Sequence, residues 1–166
     1  EVVSDAARAL GASMSYTFDT DMANIFNNGF SSTTGAPDGV ALFSASHPLI
    51  SGGTEQNILS TAADLSVAAI RTALNDIADT TDDAGKLVHW RPKTLFVSYE
   101  QVWLAKELIQ STQRADTADN AINAFRDDGL SVVASPYLTD ADAWFLLADS
   151  GTHNVRVYWR ERPNVL

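Results

Sequence analysis

Helical and strand-like periods follow one another irregularly along this 166-residue chain, and that mixture predicts an α+β fold. The opening stretch has apolar residues at a helical spacing. The last third holds three short apolar runs separated by turn formers. No regular strand–helix–strand rhythm connects them.

The first 29 residues read as helix, with Val3, Ala6, Ala7, Leu10, Met14, Phe18, Met22, Ile25 and Phe26 mostly three or four apart. Gly29 is the natural stop, and residues 1–28 are expected to form one helix packed only partly on the rest. Gly11 inside the pattern costs about 1 kcal/mol against Ala. The pattern is already running at Glu1 with no capping signal, so the chain reads as cut from within a longer helix. Residues 31–65 change texture, with turn formers at Ser31–Gly35, Pro37–Gly39 and Ser51–Thr54 around the apolar run Val40–Phe43. An ordered irregular loop of this length is usually functional or interface-forming.

Ser66 is placed to cap a second helix running to about Asp79, with Val67, Ile70, Leu74 and Ile77 on one face. Thr80–Gly85 is a turn, and Leu95–Val97 reads as a short buried strand after Pro92. Ser98 is expected to open a third helix, with Gln101 at the capping-box position and Val102, Leu104, Ala105, Leu108 and Ile109 along it. Residues 111–129 are polar. Strands are expected at Leu130–Ala134, Ala143–Ala148 and Val155–Trp159.

A net charge of −10 repels nucleic-acid phosphates and anionic lipid, and no run of Lys and Arg relieves it. Tight direct binding to DNA is therefore not expected, although enclosing DNA without gripping it remains open. The absence of cysteine excludes disulfides, thiolate metal sites and Cys nucleophiles. No stretch is long and apolar enough to span a bilayer.

The candidate chemistry is sparse. Ser44 or Ser46 beside His47 suggests a nucleophile and base, but the G-x-S-x-G elbow is absent. The simpler expectation is that the His47 ring hydrogen-bonds loop backbone and pins the turn. His47, His89 and His153 lie far apart and show no zinc-ligand spacing. The acids at Asp79/Asp82/Asp83, Asp116/Asp119, Asp127/Asp128 and Asp140/Asp142 lack the alternating register of a calcium loop and suit helix caps and turns. Trp90, Trp103, Trp144 and Trp159 suit core or subunit-contact roles better than a ligand cage. No catalytic residue, metal site or cofactor is expected.

Four segments in order resemble the major head subunit of Mu-like phages, within the wider tailed-phage major capsid fold of the Hong Kong ninety-seven type. They are Thr20–Phe30, then Asp38-Gly-Val-Ala-Leu-Phe-Ser-Ala-Ser-His-Pro48 with Gly52, Gly53 and Asn57, then Pro92–Val97, and finally Gly129–Thr139 with Ala143–Asp149. The resemblance implies the end of a long spine helix over 1–30, an ordered loop over 31–65 and a mixed-sheet axial domain over 66–166. It implies a fragment without the family's N-terminal arm and extended hairpin. By the same resemblance the chain is a structural subunit of the virion capsid, assembled in the host bacterial cytoplasm. It forms homo-oligomeric capsomers that enclose DNA, with scaffold, portal or decoration proteins as further partners and no membrane. An encapsulin-type shell protein on the same fold is the alternative, and a small hydrolase using His47 a more distant one. Within the polar segment 111–128, Arg114, Ile122, Phe125 and Arg126 are the candidate subunit-contact residues.

Overall fold

The structure is a computed structural model that describes residues 2–34, 37–114, 121–152 and 157–160. The opening period is realised as helix α1, Val2–Asn27. From Ser4 to Thr17 every residue except Ala7 is exposed, so the first half of the helix stands largely clear of the remainder, as its isolated pattern predicts. Its second half is held. Tyr16 meets Tyr137 edge-on at 5.5 Å, Phe18 stacks on Trp159 at 5.7 Å, and Ala23 is buried.

The loop that follows is ordered. A 3-10 turn, Ser32–Thr34, leads to a two-stranded antiparallel hairpin of β1, His47–Pro48, and β2, Thr54–Glu55. Gly52 and Gly53 make its turn at φ near +90°, a region that other residues enter only with strain. Helix α2, Val67–Asp79, starts where the sequence places it: the Ser66 hydroxyl accepts the Ala69 N–H at 3.2 Å.

A three-stranded mixed sheet fills the second half, with β3 (Pro92–Ser98) between β4 (Ser131–Ser135) and β5 (Trp144–Ala148). β4 runs parallel to β3 across helix α3, Val102–Gln110, and β5 returns antiparallel. One strand–helix–strand crossover is therefore present inside an otherwise irregular order. Because successive side chains of a strand face opposite ways, the central strand serves two layers. Leu95 and Val97 are fully buried against Ile70 of α2, Ala105 and Ile109 of α3, and Phe125. Burying each large aliphatic side chain contributes about 1.5–3 kcal/mol. Phe96, between them, faces the end of α1, with its ring 4.8 Å from Phe26.

Two expectations need correction. The third helix begins at Val102, not directly after Ser98, and Gln101 does not complete a capping box. A capping box requires the Ser98 N–H to be free, but it donates to the Ala143 carbonyl as the last rung of the sheet. The Ser98 hydroxyl donates to the Ala141 carbonyl and accepts the Gln101 N–H, while the Gln101 amide reaches Asp142 at 3.0 Å. The strand expected over Val155–Trp159 is not formed at 157–159, where Trp159 instead stacks on α1; Val155 and Arg156 lie outside the described residues.

The end of α1 is fixed by both shape and polarity. The Asn27 side-chain N–H donates to the Tyr137 carbonyl and its oxygen accepts the Thr139 N–H, each at 3.0 Å. Gly29 is buried, its carbonyl accepts the Phe43 N–H at 2.8 Å, and a Cβ there would overlap the Phe43 ring. Gly29→Ala is therefore expected to destabilise the protein by about 1–3 kcal/mol through overpacking. In a Phe43→Ala background the same substitution should cost markedly less, as a double-mutant cycle in urea would read.

Candidate functional site

Among the described residues, the loop 38–57 contains a polar constellation with a chemical look. Gly39, at φ +85°, lets the chain turn back so that Asp38 and His47 meet. The His47 Nδ1–H donates to Asp38 Oδ2 at 2.6 Å. This corrects the expected backbone partner: a carboxylate within reach accepts more strongly than a neutral carbonyl. The hydrogen bond from His47 holds the Asp38 carboxyl below its ordinary value, with the Val40 N–H adding to the effect. Asn57 closes the loop from the other side. Its oxygen accepts the Ser44 N–H at 2.8 Å, and its side-chain N–H donates to the Leu42 carbonyl at 2.7 Å.

An acid–histidine pair supplies two of the three members of a hydrolytic triad, and among the described residues no nucleophile is bonded to the ring. His47 Nε2 is shielded from solvent and hydrogen-bonds no described residue. The Ser44 and Ser46 hydroxyls lie 3.3 Å from each other, and Ser44 Oγ accepts the Ser46 N–H. A nucleophile must be in hydrogen-bond reach of its base. A shallow cleft of about 360 Å³ lies elsewhere, lined by Ala45, Thr54, Glu55, Gln56, Asp76 and Asp79, and neither His47 nor the two serines line it. No group of three His, Cys, Asp or Glu among the described residues is arranged to hold a metal ion.

The other acids act locally. Asp82 Oδ1 accepts the Ala84 and Lys86 N–H groups in the turn after α2, and Asp140 Oδ1 accepts the Asp142 N–H. Asp116, Asp119 and His153 lie outside the described residues.

The candidate contact residues separate by burial. Gln113 pairs with Ile122 across an antiparallel bridge, and the Arg114 N–H donates to the Ala121 carbonyl at 2.8 Å. Ile122 is then left 81% exposed. Phe125 is buried in the core, anchoring the 3-10 turn Ala124–Arg126. Arg126 is exposed and donates to the Thr112 hydroxyl at 3.1 Å. Asn123, which sequence reasoning missed, organises this segment. It is buried, donates to the Leu108 and Ser111 carbonyls at the end of α3, and accepts the Phe125 N–H. A lone Asn in a polar stretch carries no signal of such a role.

Also missed was the stretch Lys86-Leu-Val-His-Trp-Arg-Pro-Lys93, with three bases and no acid. A search for consecutive Lys and Arg passes over it, whereas net charge per window would find it. Tyr99 and Trp103 form a second exposed aromatic area, with Lys106 Nζ 5.1 Å from the Trp103 ring centre.

Protonating Asp38 removes the charge that His47 partners. The contribution of the pair is therefore present above the unfolded Asp value of about 3.9 and is lost as pH falls through the lower folded value. Amide protection factors in residues 38–57, taken relative to the intrinsic rate at each pH, should fall below about pH 4 in the wild type, and Asp38→Asn should show that lower protection already at pH 7. A flat acid profile would remove the pair from the account of the loop.

A family model described as a phage capsid protein matches residues 1–166. No curated protein and no solved structure matches the chain.

Proposed function

The chain belongs to the phage capsid protein family, whose members are structural proteins of the virion, and from that premise we propose that it is the major head subunit of a Mu-like tailed phage. In this reading it carries the Hong Kong ninety-seven-type fold and self-assembles in the host cytoplasm into capsomers that enclose the DNA genome. Residues 1–30 are the end of the spine helix, 31–65 the ordered loop and 66–166 the axial domain. The family match along all 166 residues carries the capsid role, and the Mu-like reading rests on the ordered segments Thr20–Phe30, Asp38–Pro48, Pro92–Val97 and Gly129–Thr139.

The surface supports it. A shell subunit needs broad contact faces more than a pocket, and such faces are rich in aromatic side chains and Arg. Tyr99, Trp103 and Ile122 are 65%, 70% and 81% exposed on the half of the chain that carries the mixed sheet. The exposed first half of α1 presents Leu10 and Met14 in the same way. In this reading the segment 111–128 faces neighbouring subunits, and Arg114, Ile122 and Arg126 make the contact, while Phe125 holds the turn to the core.

Electron micrographs of the full-length product test the proposal directly: closed shells are expected, and a uniformly monomeric product overturns it. In the same assay, reversing Arg114 and Arg126 to Glu should lower shell yield roughly tenfold, since a like-charge contact costs more than 1.4 kcal/mol. The circular dichroism spectrum should stay unchanged. Normal yield from that variant would remove segment 111–128 from the interface.

A further inference from the structure

The stretch 86–93 is built as a rigid, exposed, basic and apolar edge on an acidic chain. It is tied down along its length. The Lys86 N–H donates to Asp82 Oδ1 and its carbonyl accepts the Asp82 N–H, both at 2.8 Å. Leu87 pairs with Thr81, and the Val88 N–H donates to the Thr80 carbonyl at 2.9 Å. At the far end the Ser131 hydroxyl donates to the Lys93 carbonyl at 3.1 Å. This backbone is fixed, yet the side chains point outward. Leu87 is 69% and Trp90 43% exposed, and Lys86, His89, Arg91 and Lys93 are exposed as well.

None of these three bases forms an ion pair with a described residue. That is notable in a chain with 21 acids against 11 bases. The uninterrupted absence of acids extends from Ala84 to Tyr99.

We infer that the edge Lys86–Lys93 is a docking surface for a second copy of this chain, whose acidic face meets Lys86, Arg91 and Lys93 around an apolar centre of Leu87 and Trp90. The inference rests on the shell-subunit reading and adds to it where one copy grips the next. Charge complementarity selects the occupant. Outside this stretch the chain is more acidic than its net −10, so identical copies repel one another except where a basic edge meets an acidic face. Fixed backbone lowers the ordering cost of the contact. Trp and Arg are also the residue types that anchor protein interfaces. Duplex DNA is the weaker fit. Three charges neutralise too few phosphates to hold a polyanion against a strongly acidic protein, and Leu87 has nothing apolar to meet on a phosphate backbone.

The test uses the full-length product with Lys86→Glu and Arg91→Glu combined, and the milder Lys86→Gln and Arg91→Gln pair in case the reversal disturbs folding. Shell yield should fall roughly tenfold for the reversal and less for the neutral pair, as repulsion replaces attraction. In the wild type, zero-length carbodiimide coupling of a mixture of ¹⁴N- and ¹⁵N-labelled copies should join Lys86 or Lys93 to an Asp or Glu of the other isotope. Wild-type shells together with an equally competent reversal variant overturn this inference alone. Links confined to one isotope also overturn it. Loss of duplex oligonucleotide binding with assembly unchanged assigns the edge to nucleic acid instead. A wild type that never self-associates overturns both this inference and the shell-subunit reading.

Discussion

Five phenylalanines from three parts of the chain meet at one point, and the rest of the structure depends on that meeting. Phe26 brings the end of α1 to 4.8 Å from Phe96 and 5.0 Å from Phe145, on the face of the sheet opposite the α2/α3 core. Phe43 brings the loop to 5.1 Å from Phe145, and Phe30 lies 5.1 Å from Phe43. Aromatic pairs at these separations add about 0.5–1.5 kcal/mol each beyond the area they bury. Without the cluster, a helix whose first half is solvated would keep only its edge contacts at Tyr16 and Phe18, the buried Ala23 and the Asn27 hydrogen bonds.

Polar side chains then fix the angles that the aromatic contact leaves free. Asn27 and Asn123 perform the same task at opposite sides of the sheet. Each satisfies backbone groups of a second segment; for the buried Leu108 carbonyl, losing the Asn123 partner costs about 1–3 kcal/mol. Asn27 locks α1 to the connection between β4 and β5, and Asn123 locks the end of α3 to the turn that leads into β4. These side-chain amides tie each junction at more than one point.

Charge is organised differently from a protein stabilised by its own ion pairs. Arg8 pairs with Asp5 at 3.9 Å, and the pair is exposed. Such a pair contributes little. Carboxylates are used instead as acceptors for backbone N–H groups, at Asp82 and Asp140, or for the imidazole at Asp38. This leaves most cations directed at solvent, where an opposing surface can meet them.

The sequence by itself determined the elements whose cause is local. The α1 period, the Ser66 cap and the apolar runs that became β3, β4 and β5 need only neighbours within a few residues to be read. The mixed α+β class followed from them. Tertiary structure decided what local pattern cannot carry. Ser98 Oγ accepts the Gln101 N–H, but the Ser98 N–H was claimed by Ala143, more than forty residues away, so no capping box forms. Val157–Trp159 has strand composition, yet stacking of Trp159 on Phe18 keeps it out of the sheet. His47 chose Asp38 over backbone because a glycine turn brought a carboxylate to its ring. Phe125 and Ile122 are three residues apart and equally apolar, and the bridge from Gln113 to Ile122 together with the Asn123 hydrogen bonds accompanies the burial of Phe125 and the exposure of Ile122. Hydrogen bonds and ring contacts between distant segments are made by residues whose types are ordinary in their own surroundings, so their pairing is decided by where folding brings them.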